Sequence, residues 1–149
     1  MNKPKYIYKS EEQLKVYEFI SEGFNGQIKK MVTYTYTGTE NIYNLGFGDY
    51  NEETKTIDDK SITNNGDSLK VLATVASTVY AFTEKYPNAF IFATGSTSVR
   101  TRLYRMGITN NIEDIKTDFV VYGLSIETNQ WEEFVAGEDY EAFLVTRKK

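Results

Sequence analysis

Polar and apolar side chains alternate along much of the first fifty residues. Over residues 13–21, Leu14, Val16, Glu18 and Ile20 share one side while Lys15, Tyr17 and Phe19 share the other. A period of two is the mark of a strand. Turn-forming residues follow in Glu22-Gly23-Phe24-Asn25-Gly26,. Alternation resumes over residues 27–37, with Ile28, Lys30, Val32, Tyr34 and Tyr36 on one side. After a turn at residues 37–41, residues 42–50 read as a third strand. The three together predict an antiparallel meander. Residues 51–66 are polar and predict a loop, with a short strand near Thr56 and Ile57.

The period then changes. Leu69, Leu72, Val75, Ala76, Val79 and Phe82 recur at three- and four-residue spacing, the apolar stripe of an amphipathic helix over residues 68–86. Asp67 stands at its N-cap position, and Pro87 stops it. The short apolar run at residues 89–94, between Asn88 and Gly95, predicts a central strand. Residues 96–106 form a second helix, capped by Ser96 or Thr97. Residues 109–116 read as a loop with room for a helical turn. Residues 118–127 and 131–145 read as two more strands, with Asn129 in the turn and a break at residues 137–140. The order β-β-β-α-β-α-β-β predicts an α+β fold: a mainly antiparallel twisted sheet of five to seven strands with two principal helices.

Composition supports a sheet. The chain holds 17 Thr, 10 Val, 11 Ile and 22 aromatic residues against 7 Leu and 7 Ala. β-branched and aromatic side chains suit a pleated, half-buried surface. The 149 residues show no linker, repeat or low-complexity stretch, so residues 1–149 read as a single domain. Tyr34, Tyr36, Phe47 and Tyr50 read as core or cross-strand pairs, with the lining of a groove for bases or rings as the alternative.

The missing residue types narrow the chemistry. With no Cys and no His there is no disulfide, thiolate nucleophile, imidazole base or catalytic triad. The net charge of −4, with basic residues scattered, argues against a nucleic-acid partner. No apolar run has the length of a membrane span, and no signal peptide is evident, so a cytoplasmic location is expected.

One cluster invites a ligand. Thr94-Gly95-Ser96-Thr97-Ser98 lies between a strand end and a helix start, with Arg100, Arg102 and Arg105 just beyond. Glycine permits close approach of the backbone, hydroxyls offer hydrogen bonds, and a helix N-terminus offers free N–H groups to an anion. The same hydroxyls can serve only as caps. Placing residues at 100° intervals with Val99, Leu103 and Met106 inward puts Arg102 about 65° from the buried direction. Arg100 then lies at the border, and Arg105 points to solvent. An arginine near the core requires a partner: Asp58, Asp59, Asp67 or a ligand anion. Those three aspartates lack the spacing of a calcium loop, and no metal is expected.

Two stretches, Asn64-Asn65-Gly66-Asp67-Ser68-Leu69-Lys70-Val71-Leu72-Ala73-Thr74-Val75 and Arg100-Thr101-Arg102-Leu103-Tyr104-Arg105-Met106-Gly107-Ile108, resemble a family of short bacterial proteins known only as a domain of unknown function. The order of elements also resembles the second half of the GNAT acetyltransferase fold. In that family a late helix carries Leu-Tyr followed by Gly-Phe, and Leu103-Tyr104-Arg105-Met106-Gly107-Ile108 is similar, with Ile for Phe. The resemblance implies Tyr104 as the general acid and acetyl-CoA as cofactor. Where that family has a Gly-rich pyrophosphate loop, this chain has Asn64-Asn65-Gly66-Asp67, whose carboxylate competes with phosphate for the helix amides.

The leading expectation is a module that binds a small anion or a protein partner, without a cofactor, through Gly95, Ser96, Thr97, Ser98, Arg100 and Arg102. A degenerate acyl-CoA-dependent transferase and a sheet-mediated interaction protein are the alternatives. A cleft between the strands beginning near Ile42 and Ala89 favours the transferase. A closed sheet there favours binding or assembly.

Overall fold

The computed structural model describes residues 3–58, 64–95 and 97–149. Ser96 and Asp59, both named above, lie outside the described residues. The meander is present as β2 (Val16–Gly23), β3 (Gly26–Tyr36) and β4 (Ile42–Asn51), preceded by β1 (Lys9–Ser10) and followed by β5 (Thr56–Asp58). Gly26 at φ 85° and Gly38 at φ 90° make the two connecting turns, which need a left-handed backbone. The first helix, α1 (Ser68–Lys85), ends just before Pro87 as its pattern predicts. Next come β6 (Phe90–Ala93), α2 (Ser98–Asn110), α3 (Ile112–Asp118), β7 (Phe119–Ser125), β8 (Trp131–Glu133) and β9 (Tyr140–Arg147).

The fold is α+β, with one open, mostly antiparallel sheet in the order β1-β2-β3-β4-β6-β9-β7-β8, and β5 paired to β4. The nine strands among the described residues exceed the five to seven expected, because β1 is added, β5 forms, and the last apolar run splits into β8 and β9. The break falls at Gly137, φ 95°. The segment read as a loop with room for a helical turn at residues 109–116 instead holds the end of α2 and most of α3.

All three helices contribute to one layer over one face of the sheet. Tyr17, Val32, Tyr34, Phe47, Ile91, Phe119 and Phe143 from the strands meet Val71, Val75, Phe82, Tyr104 and Ile115 from the helices. Tyr34 and Phe82 stack with ring centroids 4.2 Å apart and planes 7° off parallel. Leu69 is exposed, so the α1 stripe is centred on Leu72, Val75 and Phe82. Thr74, Thr78 and Thr83 are also buried on α1; each hydroxyl donates to a carbonyl three or four residues back. That bond satisfies a polar group inside the core. On the other face of the sheet Ile42, Phe90, Phe92, Val120, Tyr122, Leu124 and Leu144 are half-buried, as in antiparallel sheets with one solvated face.

Asp67 does not cap α1 with its side chain. Its carboxylate instead accepts from the hydroxyls of Tyr6, at 2.5 Å, and Ser21, at 2.6 Å. Those partners come from the N-terminal segment and from β2, so local sequence could not name them.

Candidate functional site

The site grows from a defect in the sheet. β4 and β6 run parallel, but register only over Ile42, Tyr43 and Asn44 against Phe90, Ile91 and Phe92. β5 joins the same edge of β4 at Asp49, Tyr50 and Asn51. Between these two pairings, residues 45–48 have no strand on that side among the described residues. The chain leaves β6 through Thr94 and Gly95 and turns away into α2. A gap of about 500 Å³ opens, lined by Leu45, Phe47, Ile57, Gly95, Arg100 and Tyr104 among others.

Gly95 makes this turn possible. A Cβ there would lie 2.5 Å from the Arg100 Cβ and 2.5 Å from the Thr101 backbone N, so no larger residue fits without moving α2. Thr97 is the N-cap, its hydroxyl accepting from the Arg100 N–H at 3.3 Å. Thr101 Oγ1 accepts from the Gly95 N–H at 3.1 Å. The strand end and the first helical turn are thus tied together.

Arg100 is the residue inside. It is 4% exposed. Its guanidinium donates to the Phe47 carbonyl, on the unpaired edge of β4, and at 3.5 Å to the Asp58 carbonyl. Among the described residues no carboxylate pairs with it. Tyr104, 8% exposed, lies alongside. Burial raises its pKa above the ordinary tyrosine range, and the neighbouring Arg100 charge works in the opposite direction.

The helical phase expected for α2 was therefore wrong. Val99 is 62% exposed and Met106 37%, while the buried side carries Arg100, Thr101 and Tyr104. Arg102, expected near the core, is exposed. Arg105 pairs with Asp139. The phase failed because aliphatic residues were taken as the inward set, whereas this helix turns its polar and aromatic side to the gap.

The predicted residues divide between two spaces. Gly95 and Arg100 line the gap. Gly95, Thr97, Ser98, Arg102 and Arg105 line a neighbouring open groove of about 650 Å³, whose far side carries Asp139, Tyr140 and Glu141. In that groove the cations face acids. Sequence reasoning missed Leu45 and Ile57 as lining residues. It also missed the buried pair of Lys30 and Asp49, with Lys30 1% exposed. The signal was present: Lys30 shares the inward phase of Val32 and Tyr34. Among the described residues no cluster of three or more metal-ligating side chains occurs, and no helix is long and apolar enough to cross a membrane.

These features define an α+β protein whose sheet opens at one internal seam around a buried guanidinium. The chain belongs to DUF6934, described as a family of unknown function, whose model matches residues 2–148. No curated protein and no solved structure matches it.

Proposed function

We propose that the protein is a binding module for a small anion, held at the seam between β4 and β6 by Arg100. The observation that carries this is a buried guanidinium, facing an open gap, with two main-chain carbonyls and no carboxylate as described partners. Burial of an uncompensated charge is strongly unfavourable. An incoming anion removes that penalty and gains charge-assisted hydrogen bonds in surroundings drier than water. Ser98 and Val99, in the first turn of α2, carry no hydrogen bond on their amides among the described residues, and a helix N-terminus of this kind adds to the positive field,.

Thermal unfolding with added phosphate, sulfate or acetate tests this. A bound anion stabilises the fold by about 2.7 kcal/mol at a hundredfold excess over its dissociation constant. Arg100→Met should lose the response and Arg102→Ala should keep it. No shift with any of the three at millimolar concentration would overturn the reading.

Acyl transfer is the second reading, favoured by one observation: the gap lies between the two strands where a transferase cleft was expected, and Tyr104 lines it. Against it, Arg100 occupies the edge of β4, and the Asp67 carboxylate stands at the start of α1. Acetyl-CoA that stabilises the protein at far lower concentration than acetate or phosphate would favour the transferase.

A further inference from the structure

Behind the gap, between the sheet and the helices, lies a second space of about 70 Å³. Its walls include Leu45, Val75, Ala76, Ile91, Tyr104 and Phe143. Leu45 and Tyr104 line the gap as well, so the two spaces stand back to back with these side chains as the partition. One side of the partition holds a cation. The other is apolar, and apolar cavities of this kind stay dry.

We propose that the ligand of the gap is a short aliphatic carboxylate, its charge on Arg100 and its tail in the apolar chamber behind Tyr104 and Leu45. The proposal rests on the anion-binding reading above and adds the class of anion. Charge comes first: Arg100 is the one cation among the described residues lining the gap, which suits a monoanion better than a dianion. Shape comes second, since a planar guanidinium matches a planar carboxylate. Volume sets the tail. With about 30 Å³ for a group the size of a water molecule, 70 Å³ holds two to three carbons. Adding the carboxyl carbon and the carbons that cross the partition gives a chain of roughly four to five carbons.

The test is a titration series of sodium acetate, propionate, butyrate, pentanoate and octanoate at fixed ionic strength, read by calorimetry. Affinity should rise about fourfold per added methylene, the factor for burying one CH₂, and stop rising beyond pentanoate. Ala76→Leu, which fills the chamber from α1, should bind acetate as the wild type does and lose the gain with length. A flat series in the wild type overturns the tail while leaving the anion site standing. A rise that continues through octanoate places the tail on the surface and also overturns the chamber. If neither the carboxylates nor inorganic phosphate binds, the anion reading falls and this proposal falls with it. Should Ala76→Leu fail to fold, the wild-type series decides by itself.

Discussion

Arg100 on α2 donates its guanidinium to the main-chain carbonyl of Phe47 on β4, across the point where the sheet comes apart. The bond stands in for a strand neighbour that β4 lacks there among the described residues. It also strands a positive charge where no described carboxylate answers it, and the two effects together set the first prediction. Arg100→Met keeps the side-chain stem and removes the buried charge. Replacing buried ionic groups by apolar ones of similar volume is often neutral or stabilising. Arg100→Met also leaves the Phe47 carbonyl without its donor, so the two effects offset, and stability should change by less than about 1 kcal/mol in urea unfolding while anion binding is lost. Arg102→Met, at an exposed position, should change it by less than about 0.5 kcal/mol. A large loss at Arg100 would mean that the residue serves the fold rather than a ligand.

Lys30 and Asp49 form a pair of the opposite kind, since each has a charged partner across adjacent strands. Removing one member of a buried pair takes an opposite charge away from the other, a loss that runs to about 3–5 kcal/mol. Asp49→Asn should destabilise by about that amount, and Lys30→Met by less. Equal losses in the two variants would show that packing, not charge, decides.

Tyr17 is fully buried, and its hydroxyl has no hydrogen-bond partner among the described residues. A buried polar group without a partner carries a desolvation penalty of about 1–3 kcal/mol. Tyr17→Phe keeps the ring against Tyr8 and Tyr34 and should gain about 1 kcal/mol. A loss of stability would place a water molecule on that oxygen.

Burial raises the pKa of Tyr17, Tyr34 and Tyr104 above the ordinary value of 10.0. In the folded state these hydroxyls keep their protons at a pH where the unfolded chain releases them. The stability they contribute is thus fully present below pH 10.0 and falls as pH rises above it, by up to about 1.4 kcal/mol per pH unit for each group. Urea midpoints between pH 9 and pH 11 check this, with values near about 10 as the pivot. Tyr34→Phe should lose less stability over that range than the wild type.

Much of the layer structure was legible because its signals are local. The three-strand meander, the stop of α1 at Pro87 and the strand at residues 90–93 all follow from period, turn residues and run length. The candidate site was read from a stretch of chain at the start of α2, and the depth of its arginines was misassigned. Arg100 and Arg102 differ by 200° around a helix, so an inward direction set on Val99 and Met106 exchanged their roles. What fixes the true direction is Gly95 pressed against the first turn of α2, a contact between backbones that side-chain hydrophobicity does not encode. Asp67 makes the same point: as an N-cap type at an N-cap position it was read locally, yet Tyr6 and Ser21, 61 and 46 residues away, claim its carboxylate.

The parallel register between β4 and β6 has a consequence for how the molecule assembles. On one side of it, β1 to β5 are built from neighbouring hairpins. On the other, β9 pairs with β7 and with β6. The halves share three registered residue pairs and the layer of α1. Hairpin contacts close short loops and form early, whereas a parallel crossover must wait for its helix and close a long one. Docking of the halves is then expected to be slower than closure of the hairpins. Leu45 and Phe47 reach the gap from one half and Gly95, Arg100 and Tyr104 from the other, so the gap exists as a shaped space only once the halves have met.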